Sequence, residues 1–170
     1  MKNLDDISKI FSEEELFIID HYPFLITDNS KYSQIEYDFK FTSFKKKNRR
    51  KKMVSAITEF LELMWLYSES SVIIFNIEKR NCRINKKKIT DNQIIYIETN
   101  KQLREIIKKR IKCCYSAYFV FESFKNKEEI ILYLDDVFAS VYIKDIEQKT
   151  DVEKIALSCG LFVRSSLESK

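Results

Sequence analysis

The longest periodic pattern in the chain lies in residues 53–67, where apolar side chains recur every three or four positions. This spacing is typical of an amphipathic helix, and the apolar stripe here covers more than half of the helix surface. We therefore predict a largely buried helix, whose apolar positions are Val54, Ala56, Ile57, Phe60, Leu61, Leu63, Met64, Trp65 and Tyr67.

A second helix is predicted over residues 101–114, and Asn100 is placed to cap its first turn. Its apolar face consists of Leu103, Ile106, Ile107, Ile111 and Cys114, and its other face is largely basic. Shorter helices are predicted near both ends of the chain, and the first of two helical patterns in residues 3–20 consists of Leu4, Ile7, Ile10 and Phe11. Ser12–Glu15 and Thr150–Glu153 have the spacing of a capping box, and Gly160 stands just past the end of the last helix.

Strands are predicted from alternation and from β-branched and aromatic runs. Apolar and polar side chains alternate strictly through Ile35–Phe44, which indicates a strand with one buried and one solvent-exposed face. Further strands are predicted at Tyr22–Thr27, Ser71–Arg80, Ile94–Glu98, Tyr115–Phe124, Glu128–Asp135 and Val137–Asp145. Short polar turns join the last three strands, so these must pair antiparallel.

Together these elements predict a single α+β domain spanning residues 1–170. We expect a largely antiparallel sheet of about five to seven strands, with the two main helices on one face and short helices at both ends. The hydrophobic content of 45% is enough for one core without disulfide or metal support.

Composition excludes several classes of enzyme. With one glycine, one proline and one histidine, the chain lacks the glycine loops that bind nucleotides and the histidines of triads and common metal sites. We expect no cofactor, no metal and no catalytic residues, and we interpret the lone His21 as structural.

Asp135 and Asp136 follow Tyr133 in a pattern that resembles the YxDD box of reverse transcriptases, and we interpret them as a tight turn. The four cysteines lack CxxC spacing, and we expect them to be reduced.

Charge is divided unevenly along the chain, although the net charge is only +4. Residues 45–112 carry a net +12 between acidic ends, and seven of the eight residues 45–52 are basic. This run fits a phosphate-binding arm, a nuclear-localisation signal or a solvated connecting segment. Because cations oppose the helix dipole at the start of a helix, we expect the run to form a loop or a frayed first turn. The candidate partner-binding residues are Lys46, Lys47, Arg49, Arg50, Lys51, Glu36 and Asp38.

In size and in the order of its elements, the chain resembles the cytosolic immunity proteins of bacterial contact-dependent and other polymorphic toxin systems. The resemblance implies a small intracellular inhibitor that binds a cognate toxin domain, often a nuclease, and no enzyme activity. The alternative is a nucleic-acid-binding or viral or phage accessory protein that uses the basic segment 45–112. No signal peptide or membrane span is expected, so we predict a cytoplasmic location.

Overall fold

The computed structural model describes residues 3–21, 44–78, 82–113, 115–123, 128–134 and 139–165, with backbone only for residues 44–50 and 111–113. In these ranges the helices are α1 (Leu4–Glu13), α2 (Phe44–Leu66), α3 (Asn100–Cys113) and α4 (Ile146–Ser158). The strands are β1 (Phe17–Asp20), β2 (Ser68–Phe75), β3 (Arg83–Ile84), β4 (Lys87–Lys88), β5 (Gln93–Tyr96), β6 (Ser116–Ser123), β7 (Glu129–Leu134), β8 (Ala139–Tyr142) and β9 (Phe162–Ser165).

Seven of these strands form one antiparallel sheet in the order β5-β2-β6-β7-β8-β1-β9, and β3 and β4 form a separate hairpin. β2 and β6 pair over eight residues, from Ser68 opposite Ser123 to Phe75 opposite Ser116. β1 lies between β8 and β9, so the first and last described strands are neighbours. The predicted α+β class with a largely antiparallel sheet is confirmed.

One face of the sheet carries the main core. Ile57, Phe60, Leu61 and Met64 of α2 are buried there, and they belong to one apolar cluster with the inner faces of α3 and α4. The sheet contributes every second residue of its strands to this cluster, among them Val72, Ile74, Ala117, Phe119, Phe121, Leu132 and Val141. The periodic stripe in residues 53–67 therefore marks the helix on which the core is built.

The opposite face of the sheet is covered by α1. Ile7 is fully buried there in a second cluster with Ile73, Val120 and Ile131. Aromatic rings extend this cluster, with Phe11 and Phe75 at 5.0 and 4.9 Å from the ring centre of Tyr118. Because both faces of the central strands are covered, their sequences read as continuous apolar runs.

Several tight bends are made without glycine. Asn76, Asn85, Lys86 and Asn92 have φ angles of 53°, 49°, 66° and 59°. Asparagine is the non-glycine residue that most readily adopts this conformation, so it replaces glycine at three of these bends. Gly160, with φ 73°, ends α4, where the N–H of Leu161 donates to the carbonyl of Ala156 at 2.9 Å. The predicted role of Gly160 past the helix end is confirmed.

The predicted helix starts near both ends of the chain are wrong. α1 ends at Glu13, where a helix was expected to begin, and its cap is Asn3, whose side chain accepts from the N–H of Asp6 at 2.9 Å. α4 begins one turn earlier than predicted, capped by Asp145. At α3 the hydroxyl of Thr99 accepts from the N–H of Gln102 at 3.2 Å, so Thr99 is the cap and Asn100 is the first helical residue. Ser, Thr, Asn and Asp are common outside caps, so the motif alone does not locate a helix start.

The basic run is also helical, contrary to the expectation of a loop or frayed turn. α2 begins at Phe44 and includes residues 45–52. Lysine and arginine are good helix formers, and an unfavourable charge near a helix end costs only about 0.3–1 kcal/mol at an exposed site. The strands predicted at Tyr22–Thr27 and Ile35–Phe44 lie outside the described residues, except that Phe44 is the first residue of α2.

The expectation of four reduced cysteines is wrong at Cys82. Cys82 is buried and disulfide-bonded, whereas Cys159 is free. Spacing along the chain reports on metal-binding and redox motifs but not on distances between remote cysteines, so the sequence could not reveal this bond.

Candidate functional site

Among the predicted partner-binding residues, the structure describes the side chain of Lys51 alone, and it is exposed on α2. Lys46, Lys47, Arg49 and Arg50 lie in the first turns of α2, and their side chains are outside the described part of the chain. Glu36 and Asp38 lie outside the described residues altogether. Their role in binding stays a prediction.

A row of three glutamates crosses one end of the main sheet. Glu69 on β2 lies directly opposite Glu122 on β6, and Glu122 lies directly opposite Glu129 on β7. Directly opposed residues have their Cβ atoms about 4.5–5.5 Å apart, so the three carboxylates share a small area. They therefore concentrate negative potential where α2 ends and β2 begins.

A groove with a volume of about 560 Å³ opens at this acidic row. The volume is within the range of about 300–1,000 Å³ that is typical of ligand sites. We call it the acidic groove, and its lining residues are Trp65, Leu66, Ser68, Glu69, Ser70, Ser71, Tyr96, Ile97, Val120, Glu122 and Glu129. Carboxylates, hydroxyls and apolar side chains thus meet in one concave site.

One wall of the acidic groove is fixed by hydrogen bonds that join Ile97, the residue after β5, to α2 and to β2. The indole N–H of Trp65 donates to the carbonyl of Ile97 at 2.9 Å, and the N–H of Ile97 donates to the carbonyl of Ser70 at 2.9 Å. The sequence predicted a packing role for Trp65. It is half-buried and packs against the main core, and it also lines the groove.

The hydroxyls in the groove are satisfied from within the protein. Ser68 donates to the carbonyl of Met64 at 2.7 Å, and the hydroxyls of Ser68 and Ser70 lie 3.1 Å apart. Both residues are buried. These two serines therefore help to hold the end of α2 and the start of β2 together.

Large apolar side chains are exposed at the rim. Leu66 and Tyr96 are 60% and 65% exposed, and the neighbouring Tyr67 is 67% exposed. Exposed aromatic and aliphatic side chains beside a groove are typical of partner-binding sites. Sequence analysis missed this site because its glutamates come from three separate segments that only the strand register brings together.

In the described ranges, no group of three or more His, Cys, Asp or Glu side chains is placed to hold a metal ion. Glu69, Glu122 and Glu129 come from three neighbouring strands and share one sheet face. Their position suits cationic groups that are spread over a surface.

A second charged surface lies on the β3–β4 hairpin. Arg83, Lys86, Lys87 and Lys88 are exposed there. The N–H of Asn85 donates to a carboxylate oxygen of Glu105 on α3 at 3.2 Å, which joins the hairpin to the basic outer face of that helix. The structure thus brings together two of the basic segments that the sequence separates.

Comparison of the chain with protein families, with curated proteins and with solved structures found no match. Of the helices within the described ranges, none combines the length and the apolar composition needed to cross a bilayer.

Proposed function

We propose that this chain is a protein-binding module whose acidic groove takes a basic segment of a partner protein. The observation that carries the proposal is the row Glu69, Glu122 and Glu129 beside the exposed side chains of Leu66 and Tyr96. Lysine and arginine side chains combine a cationic head with an apolar stem. Such a side chain could place its head over the carboxylates and its stem against the apolar rim.

The composition of the groove supports a protein partner in particular. Trp, Tyr and Arg are the residues that most often dominate binding energy at protein interfaces, and this groove presents Trp65 and Tyr96. Trp65 is held by its hydrogen bond to Ile97, so little side-chain freedom is lost when a partner binds. A partner with an arginine at the centre of its interface would complement the acidic row.

An inhibitor that blocks one toxin domain is the form of this function that we favour. Nuclease domains carry cationic side chains that bind phosphates, and an acidic groove can compete for those side chains. The net charge of +4 does not oppose this, because the glutamate row acts locally. At physiological ionic strength the Debye length is about 8 Å, so charges elsewhere on the surface are largely screened.

Trp65 provides a direct test because it is the only tryptophan in the chain and it lines the acidic groove. Titration with a short peptide rich in arginine and leucine is expected to change tryptophan emission and reduce quenching by iodide. The groove variant E69Q/E122Q/E129Q is expected to bind at least about tenfold more weakly. The matched control E14Q/E59Q/E78Q changes three exposed glutamates elsewhere and is expected to bind like the wild type.

The natural partner can be sought by affinity capture from the native host with the same three proteins. A captured protein that is lost with the groove variant and kept with the control supports the proposal. A set of captured proteins that is unchanged by the groove variant contradicts it. The inhibitor form further requires that a stoichiometric amount of this chain abolishes the toxicity or nuclease activity of the captured domain.

The location that fits an inhibitor of this kind is the cytoplasm, where a toxin nuclease would act. The disulfide at Cys82 does not favour this location, because disulfides persist mainly in oxidising compartments. Cells lysed directly into an alkylating reagent with a denaturant, so that buried thiols also react, would decide the point. Complete alkylation of Cys82 supports the cytoplasm, and a protected Cys82 contradicts it.

A further inference from the structure

The basic surface on the β3–β4 hairpin and α3 is separate from the acidic groove. We define it by the exposed or half-exposed cations Arg83, Lys86, Lys87, Lys88, Lys101, Lys108 and Lys109. We propose that this basic surface binds the phosphate backbone of a nucleic acid. The inference does not rest on the proposed function of the groove.

The hairpin is a rigid support for its charges. Cys82, Ile84 and Ile89 alternate with the exposed cations and are buried in the main core. The N–H of Ile89 donates to the carbonyl of Cys82 at 3.0 Å, which closes the base of the hairpin. The cations are therefore displayed from an ordered backbone, which reduces the entropy lost on binding.

The second residue of the hairpin turn is a lysine, although glycine would adopt this backbone conformation with less strain. Asn85 and Lys86 form the two-residue turn, and both have positive φ angles, 49° and 66°. Turns of this type favour Asn-Gly, because the second position is strained for a residue with a Cβ atom. Despite this strain, the position at the tip of the hairpin is occupied by the cationic side chain of Lys86.

The charges of the hairpin also repel one another. Arg83 lies directly opposite Lys88, and like charges in this position destabilise a pair of strands. Within the described part of the chain, none of Arg83, Lys86, Lys87 and Lys88 forms an ion pair. An anion supplied from outside the described chain would relieve this repulsion.

α3 enlarges the basic surface. Glu105 accepts the hydrogen bond from Asn85, so the side of α3 that carries Glu105 faces the hairpin. Lys101, Lys108 and Lys109 lie three or four positions from Glu105, and residues at that spacing share one side of a helix. The basic surface thus extends from the hairpin onto the side of α3 that carries Glu105. Arg104 is not counted, because it pairs with Glu62 of α2.

The chemistry of this surface favours a phosphate backbone over an acidic protein. Six of its seven cations are lysines, a residue that is depleted at protein interfaces but binds phosphates as a point charge. The apolar side chains of the hairpin are buried. Of the large hydrophobic side chains that the structure describes as exposed, none belongs to the hairpin or to α3. A surface of charge without apolar anchors fits binding that is strong at low salt and independent of base sequence.

Fluorescence anisotropy with labelled strands of about 20 nucleotides tests the proposal, with separate arms for single-stranded RNA, single-stranded DNA and duplex DNA. Wild-type protein is expected to bind at least one of them, with affinity falling steeply between about 50 and 200 mM salt. The hairpin variant K86Q/K87Q/K88Q is expected to bind at least about tenfold more weakly at low salt, with a slope of log K against log salt that is smaller by about 2–3. The control K9Q/K144Q/K154Q removes three exposed lysines elsewhere and keeps the wild-type affinity within about twofold.

A second variant distinguishes a loss of nucleic-acid binding from a loss of folded protein. Replacing Lys86 with glycine should raise the midpoint of thermal unfolding, because it gives the turn its preferred sequence, and should also weaken nucleic-acid binding. A more stable Lys86→Gly protein with unchanged affinity would overturn the assignment of the tip. Equal affinity of the hairpin variant and the control would overturn the proposal, as would polyglutamate competing as well as the nucleic acid. The groove variant E69Q/E122Q/E129Q should keep its nucleic-acid binding, so the two proposals can fail separately.

Discussion

Asp20 of β1 and Arg164 of β9 form an ion pair that is almost fully shielded from water, with side chains 3% and 7% exposed. The Nη2 group of Arg164 donates to the carboxylate of Asp20. Because β1 and β9 are neighbouring strands from opposite ends of the described chain, this pair ties those ends together. The Nε and Nη1 groups of Arg164 have no hydrogen-bond partner within the described residues, so the guanidinium depends strongly on Asp20.

Removing one partner of this pair should be costly. Arg164→Met would leave the carboxylate of Asp20 buried without its cation, and we expect a loss of about 3–5 kcal/mol in the free energy of unfolding. The double variant D20L/R164M should recover much of that loss, because it leaves no unpaired charge. Urea denaturation measures both. As a control, Arg104→Met breaks the pair with Glu62, in which the arginine is exposed, and should cost much less than Arg164→Met. A double variant as unstable as the single would contradict the explanation.

Tyr115 should make the protein sensitive to alkali. Its hydroxyl donates to the carbonyl of Ile106 at 2.5 Å, and burial raises the pKa of Tyr115 well above its usual value of 10.0. The unfolded chain therefore loses this proton at lower pH than the folded chain, and stability present below pH 10 falls as the pH rises further. Tyr115→Phe should cost about 1 kcal/mol at neutral pH and lessen the alkaline loss. Denaturation at several pH values checks this, and an unchanged alkaline slope would contradict it.

His21 should contribute to the loss of stability at acid pH. Burial lowers the pKa of His21 below its usual value of 6.5, against smaller raising effects of the Met53 backbone and of Asp20. The folded state therefore favours the neutral imidazole, so this contribution is present above pH 6.5 and is lost as the pH falls through the lowered pKa. The thermal midpoint of His21→Gln should fall less than that of the wild type between about pH 7 and 5. Parallel curves for the two proteins would show that His21 does not titrate in this way.

Gly160 isolates the cost of backbone conformation. It has φ 73°, and a Cβ atom added there would have nothing within 4 Å. Gly160→Ala should therefore destabilise the protein by about 1–2 kcal/mol through backbone strain alone. Gly160→Asn should cost less, because asparagine tolerates this conformation. Equal losses for the two variants, measured by chemical denaturation, would point to a cause other than φ.

Phe60 tests the position of α2. It is 1% exposed in the main core, so Phe60→Ala should cost about 3–5 kcal/mol and Phe60→Asp should prevent folding. Leu157→Ala is a suitable control, since Leu157 is 63% exposed and should change stability by less than about 0.5 kcal/mol. A soluble Phe60→Asp protein with a cooperative thermal transition would show that this side chain is not in the core.

The helices with wide apolar stripes and the pairing of the late strands could be predicted from the sequence. Burial of one helix face imposes a period that survives in the residue order, as in Ile57, Phe60, Leu61 and Met64. Helix starts were less predictable. Ser12 and Thr150 have side chains that are common at N-caps, but Ser12 lies near the end of α1 and Thr150 lies inside α4. The hydroxyl of Thr150 donates to the carbonyl of Ile146 within α4.

The acidic groove could not be predicted as a site, whereas the basic segment 45–112 was predicted as a candidate nucleic-acid-binding segment without its arrangement in space. Glu69, Glu122 and Glu129 become neighbours only through the register of three strands, and register depends on the whole sheet. The basic residues of segment 45–112 were visible as a composition. Their grouping required the hydrogen bond from Asn85 to Glu105 and the turn at Asn85 and Lys86, which depend on tertiary packing.

The two charged surfaces lie on opposite sides of the main sheet. The glutamate row shares the sheet face that carries α1, whereas the hairpin packs with α2, α3 and α4. The negative row and the basic surface are therefore separated by the sheet. In the field of a polyanion the protein would rotate its hairpin side toward the polymer before contact, leaving the acidic groove turned away. The same molecule could therefore hold a nucleic acid and a basic protein at once, without either displacing the other.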